Sequence, residues 1–186
     1  MDRPSVAERR DGRRPATGAP FRVGCGFDVH PFGSRRRLVL GGVRLKGGAG
    51  LRGHSDADVL AHAVCDALLG AIGLPDMGIR FPASDPRHAG RSSLAFLRDV
   101  MREARGRGFR LGNLDTVLLA ETPRLGPHLQ TMRRRLAKAL GCDAGDVSVK
   151  AKRFEGLGAI GRREGIAAQA VVLLLLVRPE PGPARR

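Results

Sequence analysis

Gly24-Cys25-Gly26-Phe27-Asp28-Val29-His30 reads as a β-strand, and the rest of the fold is read outward from it. Side chains two apart on a strand point to one face, so Asp28 and His30 sit side by side and can reach a common ion. Further along, His54-Ser55-Asp56-Ala57-Asp58 leads into apolar residues at helical intervals: Val59, Leu60, Ala63, Val64, Ala67, Leu68 and Leu69. Ser55 is placed as an N-cap and Asp58 as a capping-box acid, so a helix is expected from Ser55, with His62 two turns into it. Laid across the strand, that helix brings His62 to Asp28 and His30. Two imidazoles and one carboxylate then bind a metal and leave the fourth tetrahedral position open, as catalytic zinc sites do. The alternative is a set of unrelated side chains, each satisfied by ordinary hydrogen bonds. Three of the chain's five histidines fall in this short span, which favours the joint site.

The remaining pattern alternates strand and helix. The first strand covers about Phe21 to His30, and two short apolar runs, Leu38–Leu40 and Gly42–Leu45, have hairpin character. The His62 helix should end near Gly73–Pro75, before a polar loop containing Asp76, Gly78, Asp85 and Pro86. A second helix is expected from Ser92 to Arg107, with Leu94, Leu97, Val100 and Met101 as its stripe. Leu114–Ala120 reads as a strand, Pro127–Leu140 as a helix, and Val147–Ala151 and Ile166–Val177 as strands. The implied class is α/β, an α+β layer with a four-stranded mixed sheet and helices on one face. No helices remain to cover the other face, so self-association is expected.

Composition narrows the function. The 186 residues are 42% hydrophobic, enough for one real core, and no Pro/Gly-rich linker divides the chain. The net charge of +15 is mostly arginine, in Arg35-Arg36-Arg37, Arg133-Arg134-Arg135, Arg162-Arg163 and both tails. Nucleic-acid binding is disfavoured because the chain has no Trp or Tyr and seven Phe, leaving few stacking platforms. The charge is read as solvated surface plus attraction for a small polyanionic substrate. Cys25, Cys65 and Cys142 are odd in number and far apart, which points to free thiols and a cytoplasmic protein. Ala167–Val177 is too short and polar for a membrane span. Residues 1–20 are expected to be a disordered basic tail without a secretory signal's apolar core, 21–177 the single domain, and 178–186 a second frayed tail.

Gly26-Phe27-Asp28-Val29-His30, His54-Ser55-Asp56-Ala57-Asp58, Asp66-Ala67-Leu68-Leu69-Gly70-Ala71, Phe81-Pro82 and Gly161-Arg162-Arg163-Glu164-Gly165-Ile166 together resemble the 2-C-methyl-D-erythritol 2,4-cyclodiphosphate synthases of the non-mevalonate isoprenoid pathway, in order and over about residues 21–177. The resemblance implies a homotrimer with sheets facing inward and active sites between subunits. It also implies cyclisation of 4-diphosphocytidyl-2-C-methyl-D-erythritol 2-phosphate with release of CMP. Zinc is implied on Asp28, His30 and His62, and a second cation, Mg2+ or Mn2+, on Glu155 and the substrate diphosphate.

Other roles follow from place in the matching motifs. His54 resembles the family's transition-state stabiliser, and with Ser55 at a helix start it suits an anion. Asp76, Met77 and Gly78, together with Phe81, Pro82, Ala83, Ser84 and Asp85, resemble the segments around the ribose and methylerythritol hydroxyls, to which Asp28 and His30 also contribute. Ala120-Glu121-Thr122-Pro123-Arg124-Leu125-Gly126 resembles the loop whose backbone reads cytosine, joined by Ala151, Lys152 and Arg153. Arg162 resembles a phosphate or cavity contact. The sequence departs from the family pattern at three places: Lys152-Arg153-Phe154 replaces a stretch with a catalytic hydroxyl, Ala83 an acid, and Ala159 an aromatic residue near the trimer axis. Arg153 is expected to take over the missing phosphate contact as a bidentate donor. Two other readings stay open: a zinc hydrolase using Asp56 or Asp58 as base, and a catalytically silent trimer binding isoprenoid diphosphates or partner enzymes.

Overall fold

The computed structural model describes residues 19–34, 36–46 and 49–177. Apart from Ala19 and Pro20, the expected tails at 1–20 and 178–186 lie outside the described residues, as does Arg35. The opening strand β1 (Phe21–Ser34) alternates as its sequence requires. Phe21, Val23, Cys25, Phe27 and Val29 are exposed on one face, while Gly24, Gly26, Asp28 and His30 are buried or half-buried on the other. The strand is longer than its apolar pattern, because Phe32 and Ser34 pair with a short strand that the sequence did not announce.

In chain order there follow the hairpin strands β2 (Val39–Leu40) and β3 (Val43–Arg44), that short strand β4 (Gly50–Leu51), helix α1 (Val59–Ala71), the helical turn α2 (Met77–Arg80) and α3 (Ser93–Gly106). Then come β5 (Phe109–Leu119), α4 (Leu129–Leu140), β6 (Val147–Lys152), the turn α5 (Gly158–Gly161) and β7 (Gly165–Leu176). The main sheet has the order β4-β1-β7-β5-β6. Central β7 is antiparallel to β1 and β5, and β5 is parallel to β6. A parallel pair needs a crossover, which α4 supplies. The expected mixed sheet with helices on one face is present, with β4 as a fifth, two-residue strand at its edge.

Helix α1 lies over β1 and β7, α4 over β6, and α3 packs between α1 and α4. Leu60, Leu68, Phe96, Leu97, Met101, Leu118 and Leu136 fill the layer between helices and sheet with almost no exposure. The α3 stripe is Phe96, Leu97, Val100, Met101 and Ala104, with the expected Leu94 only half-buried at its margin. Among the described residues no helix covers the opposite face. There Phe21, Val23, Phe27, Val29 and Val171 are between 41% and 59% exposed, an apolar surface that water solvates at a cost.

The start of α1 corrects the sequence reading. Asp58, not Ser55, is the N-cap, and its side chain accepts the Ala61 N–H. The helix therefore begins at Val59, and His62 sits in its first turn rather than two turns in. Asp58 wins because it is wholly buried and also accepts the N–H groups of Gly41 (2.8 Å) and Gly42 (2.6 Å) in the β2–β3 turn. Ser55 closes a local turn instead, its hydroxyl accepting the Ala57 N–H at 3.2 Å. The polar loop also holds more structure than expected: Asp76 caps α2 by accepting the Ile79 N–H, and Asp85 caps a short turn over Pro86–His88.

Candidate active site

The glycines of β1 determine where α1 sits. A Cβ on Gly26 would lie 2.0 Å from the Ala63 carbonyl oxygen, and one on Gly24 1.9 Å from that of Ala67. With nothing but hydrogen at both positions, the helix backbone rests directly on the strand backbone. His62, the residue before Ala63, is thereby lowered onto the β1 side chains that alternate to the same face. Asp28 Oδ2 and His30 Nε2 are 2.9 Å apart, His62 Nδ1 and Asp28 Oδ2 3.0 Å, and His30 Nε2 and His62 Nδ1 3.0 Å.

These three atoms form a nearly equilateral triangle and a group able to hold a metal ion. Its edge is a little under the about 3.3 Å between donors of a tetrahedral zinc with bonds of about 2.0–2.1 Å. Small relaxations close that difference, so the donor set fits a divalent ion. Burial pushes the Asp28 carboxyl up, but the imidazoles of His30 and His62 set against it outweigh that and hold the group well below the usual carboxylate range. A carboxylate ionised at all ordinary pH is what a cation site needs.

The triad opens into a cleft of ≈ 250 Å³ that His54, Ser55, Met77, Gly78, Phe81 and Ala83 also line. His54 Nε2 lies 3.3 Å from the Asp85 carbonyl oxygen. Pro82 and Asp85 fall in a neighbouring hollow of ≈ 470 Å³ with Arg80, Arg87, His88 and Arg91, and Ser84 is exposed on the connecting loop. The Asp85 carboxylate is held by Arg87 (2.6 Å). Asp76 commits Oδ1 to its cap at 3.0 Å.

Sequence reasoning missed Asp66, His88 and Phe96, which also line the cleft. Asp66 was findable: it follows His62 by four residues on one helix, hence on the same face. Its carboxyl is pushed up by burial, partly offset by the Met77 N–H that it accepts at 2.7 Å. His88 packs edge-on against Phe81 and Phe96, and its Nδ1 is buried without a partner. No sequence period marks it.

The second group of expected residues gathers elsewhere. Ala120 to Gly126 follow β5; Ala151 and Lys152 end β6; Arg153, Glu155, Ala159 and Arg162 lie in the segment leading to β7. Strand β6 stands three places from β1 in the sheet, about 14 Å at roughly 4.8 Å per strand. Within one chain none of this group lines the cleft of the Asp28–His30–His62 triad, although Thr122 and Pro123 line a separate hollow with Phe32 of β1. Glu155 is exposed with φ 50. Arg162 pairs with Glu164 at 2.6 Å, and Ala159 is exposed.

Arg153 differs from expectation. Rather than projecting free, its guanidinium folds onto Glu121, Nε donating at 3.0 Å and Nη2 to the same oxygen, while the other oxygen accepts the Phe154 N–H at 3.1 Å. The hydrogen bond from Arg153 holds the Glu121 carboxyl below its usual range, with burial opposing. The pair ties the ends of β5 and β6 together.

The bases invoked for a hydrolase are also engaged. Asp58 accepts three backbone N–H groups, and Asp56 accepts both the N–H (3.0 Å) and the hydroxyl of Ser93. Neither Asp56 nor Asp58 lines the cleft.

Comparison with known proteins agrees with this arrangement. The model of the YgbB family matches residues 21–175. A bifunctional enzyme IspD/IspF of Anaeromyxobacter sp. is 54% identical over 160 residues, 86% of this chain and 41% of its own. The chain thus spans about two fifths of that relative's length. The 2-C-methyl-D-erythritol 2,4-cyclodiphosphate synthase of Porphyromonas gingivalis is 51% identical over 156 residues, covering 84% of this chain and 96% of its own. Among solved structures, the IspF of Plasmodium falciparum in complex with CDP superimposes with a TM-score of 0.75 at 30% identity, over 85% of this chain and 97% of that one. With its family match spanning the described domain and its Asp28–His30–His62 cluster in place, the chain belongs to the YgbB family, that of the 2-C-methyl-D-erythritol 2,4-cyclodiphosphate synthases.

Proposed function

We propose that this chain cyclises 4-diphosphocytidyl-2-C-methyl-D-erythritol 2-phosphate to 2-C-methyl-D-erythritol 2,4-cyclodiphosphate, releasing CMP, in the non-mevalonate route to isoprenoid precursors. An oxygen of the 2-phosphate forms a bond to the β-phosphorus. The bond from that phosphorus to the bridging oxygen breaks, and CMP leaves with the oxygen and the electron pair. Nucleophile, electrophile and leaving group all belong to the substrate, so the protein has to fold it and balance its charge. The observation that carries the reading is the convergence of Asp28, His30 and His62 at the mouth of an open cleft.

Nitrogen-rich, borderline donors suit zinc at that triad, and the carboxylate of Glu155 suits Mg2+ or Mn2+ shared with the diphosphate. Such cations supply Lewis acidity toward phosphoryl oxygens. His54 and Ser55 donate to a phosphate beside the triad, and Asp76 keeps its second oxygen for a substrate hydroxyl. Met77, Gly78 and the loop Phe81–Asp85 shape the wall around the sugar hydroxyls. Backbone groups of Ala120–Gly126 with Ala151 and Lys152 read the cytosine. Arg153 offers Nη1 to a phosphate while Glu121 holds its other nitrogens, and Arg162 adds a further cationic contact.

Two observations support a homotrimer. The sheet face bearing Phe21, Val23, Phe27 and Val29 needs cover, and none of the residues assigned to the cytosine and the second cation lines the triad's cleft within one chain, so the site is completed when neighbouring subunits place one half against the other. Among the described residues no helix is long and apolar enough to cross a membrane, and Cys25, Cys65 and Cys142 are free thiols, which supports a reducing compartment such as the cytoplasm.

Incubating the purified protein with this substrate, zinc and Mg2+ tests the reading. CMP and the cyclic diphosphate should appear in equal amounts, without oxygen from labelled water. CMP with an open-chain product would make the chain a hydrolase. Binding without CMP release would make it the catalytically silent trimer.

A further inference from the structure

The Nε2 atom of His62, opposite the ligating triangle, is engaged as closely as its Nδ1. It lies 2.8 Å from Ser93 Oγ and 3.1 Å from Ser55 Oγ. Ser93 is wholly buried at the first residue of α3, and its hydroxyl also contacts Asp56 Oδ1. We propose that Asp56 and Ser93 form a positioning relay that fixes the tautomer and ring plane of His62 for metal ligation. This deepens the metal-site reading and rests on it.

The direction of the relay follows from which atoms can donate. An ionised carboxylate only accepts, so the single hydroxyl proton of Ser93 goes to Asp56. Ser93 Oγ is left with lone pairs facing His62, and Nε2 must carry the proton that it accepts. Nδ1 is then bare on the side of Asp28 and His30, as a ligand must be. Ser55 cannot impose this order, because a hydroxyl without a carboxylate behind it donates or accepts equally well.

Asp56 is itself held. Its Oδ1 accepts the Ser93 N–H at 3.0 Å, and its own N–H donates to the Arg91 carbonyl at 3.1 Å. Ser92, the N-cap of α3, makes no side-chain cap bond. Asp56 supplies one from the segment before α1, where a negative charge also complements the helix dipole. The relay thus joins the starts of α1 and α3, and the spacing of the two helices is passed to the ligand.

Zinc affinity by competition with a chromophoric chelator is the test, with the histidine-ring 15N NMR spectrum of the metal-free protein as the second readout. Ser93→Ala should weaken zinc binding by about 10–100-fold and let His62 populate both tautomers. Ser93→Thr, which keeps the hydroxyl, should recover much of the affinity, and Ser55→Ala should cost less than Ser93→Ala. If Ser93→Ala does not fold, Asp56→Asn decides, because an amide that donates to Ser93 removes the fixed direction and should weaken zinc comparably. Zinc affinity in Ser93→Ala or Asp56→Asn within about 3-fold of the parent, against the 10–100-fold norm, or an unchanged tautomer, overturns the relay alone. A parent protein that binds no zinc overturns the metal site, and the relay falls with it.

Discussion

Replacing Gly26 by alanine separates the strand from the helix that completes the site. The new Cβ would stand 2.0 Å from the Ala63 carbonyl oxygen and 2.6 Å from the Ala67 nitrogen. Both are helix backbone, which no rotamer change can move aside. To reach ordinary contact at 3.4 Å, α1 must withdraw by about 1.4 Å, the misfit of an overpacked core whose cost is roughly 3 kcal/mol or more when backbone has to shift. At about 2–4 °C per kcal/mol for a chain of this size, melting should fall by about 6–12 °C or more. The same withdrawal carries His62 away from Asp28 and His30, opening edges of 3.0 Å toward about 4.4 Å, well beyond the about 3.3 Å of a tetrahedral site. Zinc affinity should therefore fall together with stability. Gly70→Ala, on the same helix, is the control. A Cβ there meets only the Cys25 carbonyl oxygen at 4.0 Å, so loss of helical glycine should stabilise by about 0.5–1 kcal/mol. Differential scanning calorimetry with and without zinc, plus chelator competition, measures both. A Gly26→Ala protein that melts and binds zinc like the parent would refute the close-approach argument.

Three further outcomes are expected. Asp58→Ala strips the acceptor from the N–H groups of Gly41, Gly42 and Ala61 in a fully buried setting, so it should cost roughly 3–5 kcal/mol in denaturant unfolding, with Asp58→Asn losing less; equal losses would show that the cap oxygens matter little. Glu121 has its folded-state pKa held below 4.5 by Arg153. A depressed carboxyl contributes stability that is present above its unfolded value and lost as pH falls through the folded value. The melting-temperature advantage of the parent over Glu121→Gln should therefore hold at pH 6–7 and shrink steadily below pH 4.5; a constant difference would remove the ion pair as its source. Glu155→Gln should keep zinc and fold but lose most turnover at limiting Mg2+, because a neutral amide is a poorer ligand for a hard cation; turnover at the parental rate would reject Glu155 as the ligand.

Much of the fold was legible because it depends on local period. The alternation through β1 put Asp28 and His30 on one face, and the 3.6-residue spacing from Val59 to Leu69 made α1 a helix. The order of strands and helices after Ser92 emerged with ends shifted by a few residues, most at β5, which begins at Phe109 rather than Leu114. The convergence of Asp28, His30 and His62 was also legible, since a strand pair and a helix residue of those types can meet on one face of the sheet.

Relations between segments far apart in the chain were decided by tertiary packing. Ser55 and Asp58 are both good cap residues, and local chemistry could not choose between them; the β2–β3 turn chose Asp58 by presenting the N–H groups of Gly41 and Gly42 to it. Arg153 has the donors for a phosphate contact, yet β5 ends beside β6 and sets the Glu121 carboxylate against its guanidinium. Ser93 carries no pattern that marks it as a partner of His62, 31 residues away, and only the packing of α3 against α1 brings them together. The sequence by itself determined which side chains each element presents, because a backbone period is written in consecutive residues. Which of those side chains meet was left to the close approach of α1 to β1 over Gly24 and Gly26, a contact between backbones whose only trace in the sequence is two missing side chains.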